Sequence, residues 1–119
     1  MPDSRTAVVI EDDDDVRGLI GAVLLAAGLQ VHAAASGGNG ISAVREHQPD
    51  LIILDYGLPD VDGLSVAESL REFTTAPILL LTAREDLVAA GHAAITDAMS
   101  KPFQVTDLSR RAQALLGRT

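Results

Sequence analysis

The stretch Leu51-Ile52-Ile53-Leu54-Asp55 decides the fold. Four consecutive apolar residues stop abruptly at an acid. A short run without polar alternation reads as a strand buried on both faces, the mark of a parallel sheet. Two further runs repeat the design. Ala7-Val8-Val9-Ile10 ends at Glu11-Asp12, and Ile78-Leu79-Leu80-Leu81 ends at Thr82. In an open parallel sheet, ligands gather outside the carboxyl ends of the strands. The three runs therefore aim Glu11, Asp12, Asp55 and Thr82 at one edge.

Helical periodicity fills the spaces between the runs. Val16, Leu19, Ile20, Val23, Leu24 and Ala27 form one apolar stripe at helical spacing. Asp13, Asp14 and Asp15 open that helix, where negative charge suits the dipole, and Gly28 closes it. A weaker strand is predicted over 29–34 and a second helix over 36–47, whose first turn is weakened by Gly37, Gly38 and Gly40. A third helix over 63–73 turns Leu64, Ala67 and Leu70 inward. The segment 85–94 reads as a short fourth helix interrupted by Gly91, and a poorly marked fifth strand follows within 95–100. The last helix, 105–116, carries Val105, Leu108, Ala112 and Leu115 on its buried stripe. Five alternations of strand and helix imply right-handed crossovers and a three-layer α/β sandwich. One domain is expected to fill residues 1–119.

Composition narrows the classes. An apolar fraction of 47% supports a real core, built from aliphatic residues because Tyr56, Phe73 and Phe103 are the only aromatics. There is no cysteine, which excludes disulfides and thiolate metal sites. No signal peptide or membrane-length apolar segment is visible, so a soluble, cytoplasmic protein without membrane contact is expected. The net charge of -8 opposes direct binding to a nucleic-acid backbone.

Glu11, Asp12 and Asp55 define the chemistry. Two like charges about 5 Å apart repel by about 3 kcal/mol at an effective dielectric near 20. Three carboxylates held together must take up protons or find a cation. Hard oxygen ligands suit Mg²⁺, whereas His32, His47 and His92 show no ligand spacing that would suit zinc. A carboxylate beside such an ion can attack phosphorus and become an aspartyl phosphate. Lys101, just before Pro102, and Thr82 sit where a cation and a hydroxyl would complete the site.

Four segments in order then resemble the receiver domain of bacterial two-component response regulators. They are Val9-Ile10-Glu11-Asp12-Asp13, Asp55-Tyr56-Gly57-Leu58-Pro59-Asp60-Val61-Asp62-Gly63, Leu81-Thr82-Ala83-Arg84 and Lys101-Pro102-Phe103. The resemblance implies a flavodoxin-like, doubly wound five-stranded parallel sheet of order 2-1-3-4-5. It makes Asp55 the phosphoacceptor, served by a histidine kinase or phosphotransfer protein. It makes Asp12, Asp55 and the backbone carbonyl of Gly57 ligands of Mg²⁺, with Glu11 acting mainly through water. Thr82 and Lys101 would hold phosphoryl oxygens, and the Lys101–Pro102 bond would be cis. The activity implied is at most self-phosphotransfer and slow autodephosphorylation, not turnover.

The chain also departs from the pattern. Ala98 stands where the family places a switch aromatic, and only residues 83–100 separate Thr82 from Lys101, a shorter span than the family's. An altered face around a short or irregular fourth helix is expected, with Arg110 and Arg111 able to pair across a homodimer. Leu81-Thr82-Ala83-Arg84 resembles receivers that precede winged-helix DNA-binding domains, and residues 1–119 hold no such output domain. That fits a free-standing receiver or one part of a longer protein, acting on a downstream partner or a detached output domain. The alternative function is a phosphorylation-independent adaptor with this fold. A dehalogenase-type phosphatase would want a second Asp two residues after the nucleophile, where Gly57 stands.

Overall fold

In the computed structural model, which describes residues 5–117, strands and helices alternate strictly. They are β1 (Thr6–Ile10), α1 (Asp14–Ala26), β2 (Gln30–Ala34), α2 (Gly37–His47), β3 (Leu51–Asp55), α3 (Gly63–Leu70), β4 (Ile78–Thr82), α4 (Glu85–Ala90), β5 (Asp97–Ser100) and α5 (Val105–Leu116). All neighbouring strands run parallel in the order β2-β1-β3-β4-β5, the expected doubly wound topology. Among the described residues no helix is long and apolar enough to cross a membrane.

The apolar runs have no polar alternation because both sheet faces are covered. Ala7, Val9, Leu51, Ile53, Leu79 and Leu81 point toward Ile20 and Leu24 of α1 and Leu108, Ala112 and Leu115 of α5. Val8, Ile10, Ile52, Leu54, Ile78 and Leu80 point the other way, toward Val44 of α2 and Val66, Ala67 and Leu70 of α3. Each fully buried Leu or Ile contributes about 1.5–3 kcal/mol of transfer free energy.

Two glycines let backbone approach backbone or core. A Cβ on Gly40 would lie 2.5 Å from Ile10 Cδ1, so the second helix seats on β1 only because residue 40 lacks one. A Cβ on Gly63 would lie 2.6 Å from the carbonyl oxygen of Asp55, where α3 starts against the end of β3.

Several expectations shift in detail. Leu19 is 45% exposed and Val105 is 42% exposed, and Ala27 is exposed as well. On α1 the core takes Ile20 and Leu24, an i,i+4 pair, which turns Leu19 to the helix flank. Helix α3 stops at Leu70 rather than at 73, and α4 at Ala90 rather than at 94. Beyond α3 the half-buried Arg71 takes over. Its guanidinium donates to the carbonyls of Ala94, Thr74 and Ala76 and to Thr96 Oγ1, joining the two irregular segments that precede β4 and β5.

Candidate functional site

The carboxyl ends of β1, β3, β4 and β5 surround one cleft of about 400 Å³. Parallel register explains the convergence. Ile10 pairs with Leu54, Asp55 with Leu81 and Thr82 with Ser100, so the residues after the apolar runs arrive side by side. Glu11, Asp12, Asp55, Gly57, Thr82 and Lys101 all line this cleft.

Glu11, Asp55 and Thr82 are almost completely buried, and Asp12 is exposed at the mouth. Lys101 Nζ donates to Glu11 Oε1 and to Asp55 Oδ1, both at 3.0 Å. The amide of Asp13 donates to Glu11 Oε2 at 3.2 Å. Arg17 Nη1 donates to the Glu11 carbonyl at 3.0 Å, bracing the turn out of β1. Asp13 serves the helix instead of the cleft, accepting from the amides of Asp15 and Val16 as the N-cap of α1. Thr82 Oγ1 accepts from the Arg84 amide at 3.0 Å, which leaves its O–H as the group able to donate into the cleft. The Lys101–Pro102 peptide is cis, and the Lys101 amide donates to the Thr82 carbonyl at 2.8 Å.

Burial pushes the Glu11 carboxyl up, and neighbouring Asp55 adds to that rise; the bonds from the Asp13 amide and Lys101 oppose it. For Lys101, burial works against the charge, yet the hydrogen bonds it donates to Glu11 and Asp55 outweigh it and hold the ammonium above its usual value.

The acids fit a divalent cation. One carboxylate oxygen from each of Glu11, Asp12 and Asp55 lies within 4.8 Å of the others. Three carboxylates and one ammonium carry a net charge of -2 when ionised, which one hard divalent ion would balance.

At the other sheet edge, half-buried Ala98 faces a smaller cavity of about 150 Å³, lined also by Leu64, Leu80, Val88 and Ile95. Arg110 and Arg111 are engaged within the chain, Arg110 with Asp107 and Arg111 with Asp97 and the Ala98 carbonyl. Tyr56 and Arg84 form a rim that sequence reasoning passed over. The guanidinium lies 5.7 Å from the ring centroid and bonds to the Tyr56 hydroxyl. His32 and His47 stack at 3.5 Å on the β2 side, although nothing in their spacing announces it.

Comparison with known proteins agrees with this geometry. The model of the response regulator receiver domain matches residues 7–113. The transcriptional regulatory protein AfsQ1 of Streptomyces coelicolor is 40% identical over 93% of this chain and 51% of its own length. The KDP operon transcriptional regulatory protein KdpE of Escherichia coli is 35% identical over 93% and 51%. The chain thus spans about half the length of these curated relatives. The BeF3-activated N-terminal receiver domain of Klebsiella pneumoniae RstA superposes with a TM-score of 0.86 at 28% identity, covering 97% of this chain and 100% of that one. The chemotaxis protein CheY4 of Vibrio cholerae gives 0.84 at 26%, covering 95% and 99%. With sheet order, acid cleft and family match in agreement, this chain belongs to the response regulator receiver domains.

Proposed function

We propose that the chain is a phosphorylation-dependent signalling switch with Asp55 as its phosphoacceptor. A histidine kinase or phosphotransfer protein supplies phosphohistidine. A carboxylate oxygen of Asp55 bonds to phosphorus as the N–P bond breaks. The bonding pair stays on the imidazole nitrogen, which leaves neutral if the other ring nitrogen carries a proton. Glu11, Asp12, Asp55 and the Gly57 carbonyl would hold Mg²⁺, with Glu11 acting mainly through water. The ion supplies charge neutralisation for the transferring group. Lys101 would move from carboxylate to phosphoryl oxygens, and the Thr82 hydroxyl would donate to them.

The reading is carried by one observation: Lys101 bridges Glu11 and Asp55 at 3.0 Å each inside a cleft that also contains Asp12 and Thr82. That intact set favours phosphotransfer over a phosphate-independent adaptor. The consequence of phosphorylation is a changed surface for a downstream protein or for an output domain in a longer chain.

Intact-mass measurement after incubation with Mg²⁺ and a small phosphodonor tests this reading. The expected outcome is a gain of one phosphoryl group, abolished in Asp55→Asn. No gain from either the small donor or a cognate kinase would overturn the proposal.

A further inference from the structure

One carboxylate joins the loop that carries Gly57 to the second helix. Asp60 Oδ1 accepts from the Gly37 amide at 2.8 Å, and Oδ2 accepts from the Gly38 amide at 2.9 Å. The Asp60 Oδ1 atom also takes the Val61 amide at 3.0 Å. The next amide of α2, Asn39, is capped locally by the Ser36 hydroxyl at 3.2 Å. Helix starts leave four amides without intrahelical partners. Here two of them are satisfied from a different loop. The amides of Gly38 and Gly37 hold the Asp60 carboxyl below the usual carboxylate range, consistent with a firm contact.

The glycines at this helix start now have a use. A Cβ on Gly37 would lie 2.9 Å from Val66 Cγ2 and 3.2 Å from Asp60 Oδ1. The approach of Asp60 to the helix therefore depends on a bare backbone. One turn later, Gly40 seats the same helix against Ile10, the residue before Glu11. A continuous line of contacts runs from Glu11 through Ile10, Gly40 and α2 to Asp60, and so to the loop of Tyr56 and Gly57.

We infer that Asp60 is a positioning residue for the acid cleft: through the start of α2 it fixes the Gly57 loop relative to Glu11 and Asp12. The inference rests on the proposed reading of the cleft as a Mg²⁺ site. Groups that orient metal ligands without touching the ion commonly shift affinity by about 10–100-fold when removed.

The test compares Asp60→Ala with Ser36→Ala. Both remove caps from one helix terminus, but only Asp60 ties that terminus to the loop of Gly57. Mg²⁺ is titrated into each intact chain and followed by fluorescence of Tyr56, the only tyrosine in a chain without tryptophan. Asp60→Ala should weaken Mg²⁺ binding by about tenfold, with Asp60→Asn in between and Ser36→Ala unchanged. Amide exchange over 57–61 should quicken in Asp60→Ala alone. Parental Mg²⁺ affinity in Asp60→Ala, or equal weakening in Ser36→Ala, overturns the inference. A parent chain with no Mg²⁺ response overturns the metal reading instead, and the exchange comparison then decides the strut, with unchanged exchange overturning it.

Discussion

Helices α1 and α4 each follow a strand whose end contributes to the cleft, yet they are held very differently. Helix α1 is capped by Asp13 and buries Ile20 and Leu24. Helix α4 is shorter, has no side-chain cap and buries no residue. The first fixes Glu11 and Asp12 in place. The second begins just after Thr82 and rests over the cavity beside Ala98. Elements with few buried apolar contacts open at the low end of a protein's stability range, and moving parts are drawn from that end. The cleft is thus anchored on one side and poorly anchored on the other, as the proposed switch would require.

The comparison can be broken by mutation. Leu24→Ala should destabilise the fold by about 2–5 kcal/mol in urea titration, and Leu87→Ala on α4 by less than about 1 kcal/mol. Equal costs would mean α4 is as firmly held as α1. Gly40→Ala should cost about 1–3 kcal/mol by overpacking against Ile10. Gly38→Ala is the contrast, because its Cβ would meet Asp60 Oδ2 at an ordinary 3.6 Å. Ala98→Phe should sharpen the picture by filling the cavity, adding about 0.5–1 kcal/mol and slowing amide exchange in α4. If exchange there does not change, the cavity is not what loosens the helix.

The smallest effect is on pH. Asp60 has a folded value below its ordinary 3.8. Its contribution to stability is complete above 3.8 and disappears as pH falls through the lower folded value. Over that window Asp60→Asn should lose less stability than the parent, and parallel acid-unfolding curves would contradict the assignment.

The legible parts of the sequence were those where burial is complete. The runs ending at Glu11, Asp55 and Thr82 sit between two covered faces, so composition alone marks them. The acid set followed from where those runs stop. Segments 85–94 and 95–100 were hard to bound for the opposite reason. Helix α4 has no buried stripe to set a period, and β5 is an edge strand with a single buried residue, Met99. Leu19 and Val105 are apolar at helical spacing but face outward, because spacing cannot fix the rotation of a helix within its groove. The bond from Asp60 to α2 was illegible as well. It joins distant segments through backbone amides, which carry no side-chain signature, and the glycines at 37 and 38 read from the sequence only as a weak first turn.

Arg71 has a wider consequence for how this corner of the chain can vary. Four hydrogen bonds from one rigid, planar guanidinium reach the segments before β4 and before β5 together. A lysine there keeps the charge and loses the fork. Where a helix would spread the work of shaping a bend over many positions, a single guanidinium does so here, leaving the lengths of the surrounding loops free to drift as long as that one hub survives.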